Sequence, residues 1–352
     1  MGLFSSAKKT ISIDFGSSEV KVVEGKFNKK GINISKYFSF KVPKGLYEDG
    51  HIVDMVEMSN LLKNALKHNK ISMDSANAVV NSSKIITREI TIPKVGDKEI
   101  EAILNFQLED FIPIHPEDYV VKFITLGTFM EDDAEKLNLL LVGVPKAIVE
   151  PHLNLFKSIG LKPSSLDFQG NAVNKLIHFG SKINNSYETK DLTIASIDMG
   201  YDNTKLTIVK NGNNEVSRVI EVGVTNLINK LYEKVELSET EVEEKIAEIK
   251  NITDSYGGSD QIFLDSAREV LQEIIEGIEM IFRYYRTRDM GNDIGLVLLQ
   301  GGLSNINGVD KLFSNYFDIP AVKLSSLNKV KFNGELSKYA NSIGGLIRVD
   351  EV

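Results

Sequence analysis

Ser12-Ile13-Asp14-Phe15-Gly16-Ser17-Ser18-Glu19-Val20-Lys21 and Ser196-Ile197-Asp198-Met199-Gly200-Tyr201-Asp202-Asn203-Thr204-Lys205 are one pattern written twice. Each residue of the second stretch stands 184 positions after its counterpart, and Ser, Ile, Asp, Gly and Lys coincide. An apolar β run precedes each copy (Thr10 to Ile13; Leu192 to Ile197) and another follows it (Val20 to Val23; Lys205 to Val209). Such runs, broken by Gly and Ser, read as strand, tight turn, strand. Gly16 and Gly200 leave no side chain to block an approaching oxyanion. The backbone N–H groups of such a turn form an anion-binding concavity, to which Ser17, Ser18, Asn203 and Thr204 add hydroxyl or amide donors. Asp14 and Asp198 fall at strand ends, where a carboxylate suits a hydrated Mg²⁺ that also meets phosphate. One Asp-x-Gly hairpin is common. Two, a lobe's length apart, point to a two-lobed phosphate binder.

A third glycine turn follows the apolar strand Ile294 to Leu299, in Gln300-Gly301-Gly302-Leu303-Ser304-Asn305-Ile306-Asn307-Gly308. A buried strand running through Gly-Gly into a helix (Val309 to Tyr316) is a ligand site of open α/β sheets. Elsewhere the apolar spacing predicts helices at Asp54 to Asn69, Lys98 to Phe111, Lys146 to Ile159, Leu166 to Phe179, Val235 to Lys250 and Gln261 to Arg288, with a buried strand at Asn138 to Val144. The Glu-rich helix from Val235 reads as a solvated face.

With 352 residues the chain exceeds one ordinary core. A net charge of −8 argues against a nucleic-acid surface. No cysteine is present, which removes disulfides, thiolate metal sites and cysteine nucleophiles and fits a reducing cytoplasm. No run approaches the roughly 18 apolar residues of a membrane span. The start lacks the apolar core of a secretory signal, though Gly2 and Ser6 match the loose N-myristoylation pattern. No histidine pair has zinc-ligand spacing.

The order of these turns resembles that of the actin-like ATPase superfamily: two phosphate turns, then an adenosine Gly-Gly turn. Within it the chain resembles the PilM family of type IV pilus assembly proteins, on Ile86-Thr87-Arg88-Glu89-Ile90-Thr91-Ile92-Pro93, Glu101 to Glu109, Ile112-Pro113-Ile114, Leu141 to Lys146, Ser158 to Pro163 and Tyr339 to Leu346. The resemblance implies an α/β, ribonuclease H-like two-lobed fold with an inserted FtsA-type subdomain. The first lobe would comprise 1–82 and 161–190, the insertion 83–160, and the second lobe 191–352 with a smaller part at about 226–290. It implies ATP with Mg²⁺, held by Gly16, Ser17, Ser18 and Lys21, by Gly200, Asn203, Thr204 and Gly223, and by Gly301, Gly302, Leu303 and Ile306, with Asp14 and Asp198 toward the metal. Gln169 takes the place of a residue that orients the attacking water, with hydrolysis slow or absent.

The partner implied is the N-terminal cytoplasmic peptide of PilN, lying as an extended strand along Ile90, Ile92, Phe106 and Phe111. Other pilus platform proteins and the pilus ATPase are further partners. The location implied is the cytoplasmic face of the inner membrane, reached through partners, and a homo-oligomer stays open. Family members often carry Gly-Gly where this chain has Val222-Gly223-Val224, and an acidic residue at Phe106-Gln107. The basic amphipathic tail of FtsA-like proteins is not found beyond Leu346, which favours PilM. An FtsA-like or filament-forming ATPase is the alternative reading. A small-molecule kinase is another, but no catalytic Asp of a substrate cleft is marked.

Overall fold

The computed structural model describes residues 9–348 except 73, 113–114, 250, 256 and 289–290. The Gly2 and Ser6 pattern and the Pro113-Ile114 part of the resemblance lie outside the described residues.

Lys9–Asp14, Glu19–Asn28 and Gly31–Lys41 form an antiparallel meander. Ser75–Val80 lies parallel on the other side of the first strand, Lys162–Phe168 lies parallel beyond it, and Val330–Lys331 joins the far edge. The second half repeats the order. Thr193–Met199, Thr204–Lys210 and Asn213–Ile220 form the meander, with Leu296–Gly301 and Ala321–Lys323 parallel on the other side. In each sheet the strands thus run third, second, first, fourth, fifth. Ile11, Ile13, Ile194 and Ile197 are fully buried, as expected of strands covered on both faces.

Helices seal the sheets. Met55–His68 begins at Asp54, whose carboxylate accepts the N–H groups of Val56 and Glu57, and it buries Met58, Leu62 and Leu66 at four-residue spacing. The 30-residue helix Ser259–Arg288 turns Phe263, Val270, Ile274, Ile278, Phe282 and Tyr285 into the second core. Between the two sheets lie Gln169–Gly180 and Leu336–Gly344. Their apolar faces (Val173, Leu176 and Ile177; Tyr339, Ala340 and Ile343) share one core with Val23 of the first sheet and Leu296 of the second.

Between Ser75–Val80 and Lys162–Phe168 the chain builds a three-stranded antiparallel sheet. Its order is Ile86–Pro93, Ala134–Pro145, Tyr119–Glu131, and the helix Asp97–Phe111 packs on it. That helix is broken at Gln107 (φ −120°, ψ 16°). The following helix, Lys146–Ser158, lies inside the expected bounds of the insertion, but Ile148, Leu155 and Phe156 bury it in the first lobe's core.

Two expected helices differ. Leu166 to Phe168 are strand, because they pair in parallel with Ala78 to Val80, and the helix begins only at Gln169. Pairing overrides local propensity there. Val235 to Lys250 is not one helix. Val224–Val235 ends in a left-handed residue, Glu236 (φ 54°), and Glu239–Glu248 starts afresh under a Ser238/Glu241 capping box.

Candidate functional site

The two hairpins of the repeat face one cavity of about 400 Å³ between the lobes, with Gly16 and Gly200 on its walls. Each turn is folded alike. A β-carbon on Gly16 would stand 2.9 Å from the Glu19 carbonyl oxygen, and one on Gly200 would stand 2.8 Å from that of Asn203. Glu19 and Asn203 are themselves counterparts in the repeat. Ser17, Ser18, Asn203 and Lys21 line the cavity. Thr204 does not. It is fully buried and donates its hydroxyl to the Val222 carbonyl at 2.8 Å.

Cross-strand register sets Asp14 opposite Lys21 and Asp198 opposite Lys205. Asp14 is buried, and burial raises its pKa against the opposing pull of Lys21 and a hydrogen bond from Gln169. Burial alone would lower the Lys21 pKa, but Asp14, Glu19 and Asp198 outweigh it and the ammonium is held more firmly. For Glu19, burial pushes upward while hydrogen bonds from Lys338 and Ser39 and the charge of Lys21 prevail, leaving its pKa lowered. Gln169 gives its amide N–H to Asp14 Oδ1 at 2.6 Å. A carboxylate only accepts, so the NH₂ end must face Asp14. The other end, Oε1, is buried without a hydrogen-bond partner, and Gln169 lines the cavity. An amide oxygen so left is an acceptor for a water.

The third turn closes the far wall with Gly301 and Gly302. Gly301 has φ +85°, and a β-carbon there would meet the Met199 carbonyl at 2.4 Å and Asp198 Oδ1 at 2.5 Å. Leu303 and Ile306, expected at the site, are each 1 % exposed and belong to the second core. The 3₁₀ turn Gly302–Asn305 rotates them inward and leaves Asn305 at the cavity. Gly223 is buried beneath the second turn. Its α-carbon lies so close that a β-carbon would fall 2.4 Å from the Tyr201 carbonyl oxygen.

The groove residues separate. Ile90 and Ile92 are buried in the core of the inserted sheet and offer nothing to a ligand, because that face of their strand packs on the helix Asp97–Phe111. Phe111 is half-buried against the same core. Phe106 is 89 % exposed beside the kink.

Several lining residues were missed. Lys205 is the repeat partner of Lys21 and was signalled by the repeat. Lys41 pairs with Glu243 across the mouth of the cavity, from the strand Gly31–Lys41 to the helix Glu239–Glu248. Lys338 and Asn341 come from Leu336–Gly344, and only the topology reveals them. Among the described residues no group of three or more His, Asp or Glu could hold a metal ion by itself. None of their helices is long and apolar enough to cross a membrane.

A family model described as "Type IV pilus assembly protein PilM" matches residues 12–341. Among solved structures, the chain is similar to the "PilM-PilN type IV pilus biogenesis complex", with a TM-score of 0.79 at 18% identity over 97% of this chain and 98% of that one. It is also similar to MreB 5 of Spiroplasma citri bound to AMPPNP, with a TM-score of 0.55 at 15% identity over 96% of this chain and 95% of that one. A third likeness is to a MamK double helical filament, with a TM-score of 0.55 at 12% identity over 96% of this chain and 97% of that one. At these identities the structures speak for the fold, which is the two-lobed, ribonuclease H-like architecture of actin-like ATPases.

Proposed function

The chain belongs to the type IV pilus assembly protein PilM family, and from that membership we propose that it is an ATP-binding scaffold of the pilus assembly platform. On this reading it holds MgATP between its lobes and grips the N-terminal cytoplasmic peptide of PilN on the inserted, FtsA-type subdomain. The observation that carries the nucleotide is the pair of repeated glycine turns on one cavity, with Lys21 and Lys205 beside them. Backbone N–H groups and ammonium groups on both walls suit a polyphosphate. The residues also fit the metal. Mg²⁺ keeps several waters and needs few protein carboxylates; Asp198 lines the cavity, and Asp14, its counterpart, is buried just behind it on the Gln169 amide. When bound, the ion would screen the phosphate oxygens against those acids.

Gln169 is the residue that would hold a water, through the amide oxygen that Asp14 leaves free. An amide can orient a water but cannot take its proton, so turnover is expected to be slow. The protein gains cohesion from the ligand instead. A ligand at 100 times its dissociation constant stabilises the closed form by about 2.7 kcal/mol. Titration calorimetry with ATP and Mg²⁺, beside a steady-state phosphate-release assay, tests both parts. Binding with a rate well below about 1 per second is expected. No heat and no shift in Tm at millimolar MgATP would overturn the nucleotide reading.

For the peptide, support comes from the family and from Phe106, a large apolar side chain left in solvent. One of the similar structures is of a PilM-PilN complex. Recruitment by a membrane protein would put the chain at the cytoplasmic face of the inner membrane.

A further inference from the structure

Leu336–Gly344 runs between the two sheets and touches both hairpins with side chains one turn apart. Lys338 Nζ donates to Glu19 Oε1 at 2.8 Å, on the first turn, and Asn341 Nδ2 donates to Asp198 Oδ2 at 2.9 Å, on the second. Residues i and i+3 share a helix face, and here that face is the cavity floor, since Ser337, Lys338 and Asn341 all line the cavity. The helix itself is tightly packed. Ile343 is fully buried, and the Gly345 carbonyl accepts from Asn77 Nδ2 at 2.9 Å. Gly344 lies so near Gln169–Gly180 that a β-carbon would fall 2.0 Å from the Ala172 carbonyl.

The Asp198 carboxylate is therefore oriented by one hydrogen bond and one close approach. Asn341 holds Oδ2, and Oδ1 lies against Gly301, where a β-carbon would have 2.5 Å. Asp14, its counterpart in the repeat, is oriented in the same manner by an amide from the other interlobe helix, Gln169. Each repeated aspartate thus takes one amide hydrogen bond from one of the two helices that cross at Gly344. Packing alone would not require that. Asn341 is 7 % exposed, and an apolar residue in its place would leave Asp198 without this hydrogen bond.

We propose that Leu336–Gly344 is a positioning clamp: Lys338 sets the first phosphate turn through Glu19, Asn341 sets the second through Asp198, and one rigid helix keeps the two in register for a nucleoside polyphosphate and its cation. Neither residue is assigned chemistry. Asn341 aims a carboxylate and Lys338 holds a turn. The inference rests on the nucleotide reading for its ligand, but the clamp itself is a property of the free protein.

The test uses the full chain and the substitutions Asn341→Leu, Lys338→Met and Lys338→Arg, with two readouts. In calorimetry, Asn341→Leu is expected to weaken ATP about 10-fold in the presence of Mg²⁺, the worth of one charge-assisted hydrogen bond. With EDTA it is expected to weaken ATP much less. Lys338→Met weakens ATP under both conditions and Lys338→Arg restores it. Equal losses with and without Mg²⁺ in Asn341→Leu, together with a lowered Tm, would mark mere packing and overturn the clamp. Unchanged affinities would do the same. Amide hydrogen exchange of the ligand-free protein is the second readout. The clamp requires faster exchange across Gly200 to Asn203 in Asn341→Leu and across Gly16 to Glu19 in Lys338→Met. If wild type binds no ATP, the nucleotide reading falls and exchange alone decides; exchange identical to wild type at both turns then overturns the clamp. Should Asn341→Leu fail to fold, Asn341→Ser removes the amide without added bulk and carries the same expectations.

Discussion

Gly301 shows how much of the site hangs on one missing methyl group. Its φ of +85° and the backbone and carboxylate oxygens within 2.5 Å of a β-carbon forbid any other residue without displacement. Gly301→Ala is expected to cost about 2 kcal/mol or more and to abolish ATP binding, measured by urea unfolding and calorimetry. A second residue acts through a proton. His152 is buried behind the first turn, where Phe15 meets it edge-on at 4.8 Å. Its Nδ1–H must donate to the Ile148 carbonyl at 2.7 Å, so Nε2 accepts from the Tyr47 hydroxyl at 3.2 Å. Burial, helped by His51, holds its pKa down at about 4 despite the Ile148 carbonyl. The unfolded chain takes up this proton near pH 6.5 and the folded chain only near pH 4. Stability is therefore full above about pH 6.5 and falls as pH drops, by up to about 3 kcal/mol. Urea unfolding between about pH 4.5 and 8 checks this. His152→Gln should be less stable at neutral pH and should lose that share of the slope.

Elements were legible where a single chain segment carries its own signal. Asp54 before Met58, Leu62 and Leu66 names its helix without help, and the glycine hairpins name their strands. The failures have two causes: a distant partner, or a local turn that the apolar pattern does not show. Leu166 to Phe168 are strand because Ala78 to Val80 lie alongside. Leu303 and Ile306 turn away from the site because a 3₁₀ turn follows Gly301. Lys338 and Asn341 reach the cavity only because Leu336–Gly344 is drawn between sheets whose strands stand far earlier in the chain. Ile90 and Ile92 looked available for a peptide because alternation says which residues share a face, not which face is covered. The kinked helix Asp97–Phe111 covers theirs and leaves Phe106 outside. Phe106→Asp is accordingly expected to weaken the PilN peptide about 10-fold or more while leaving Tm unchanged, by calorimetry and thermal unfolding. Wild-type affinity in Phe106→Asp would place the peptide elsewhere.

At the scale of the molecule, the insertion is not an appendage of the first lobe alone. Arg288, at the end of the long helix of the second lobe, donates to Glu89 Oε2 at 2.6 Å, and Asn213 donates to the Leu126 carbonyl at 3.2 Å. Both contacts run from the second lobe to the inserted sheet, and Lys41 with Glu243 spans the cavity mouth. A ligand that draws the lobes together therefore changes the setting of the inserted sheet, which on the proposed reading holds the peptide. Linkage makes the effect mutual: whatever factor MgATP adds to peptide affinity, the peptide adds to MgATP affinity. A factor of about 5 in each direction, at the modest end of measured couplings, is expected in calorimetry. Arg288→Met keeps the stem of the side chain but removes the charge pair with Glu89, so it should bring both factors toward unity while each ligand alone still binds. If the two factors are equal in wild type and survive unchanged in Arg288→Met, the coupling runs through the shared interlobe core and not through the inserted sheet's contact with the second lobe.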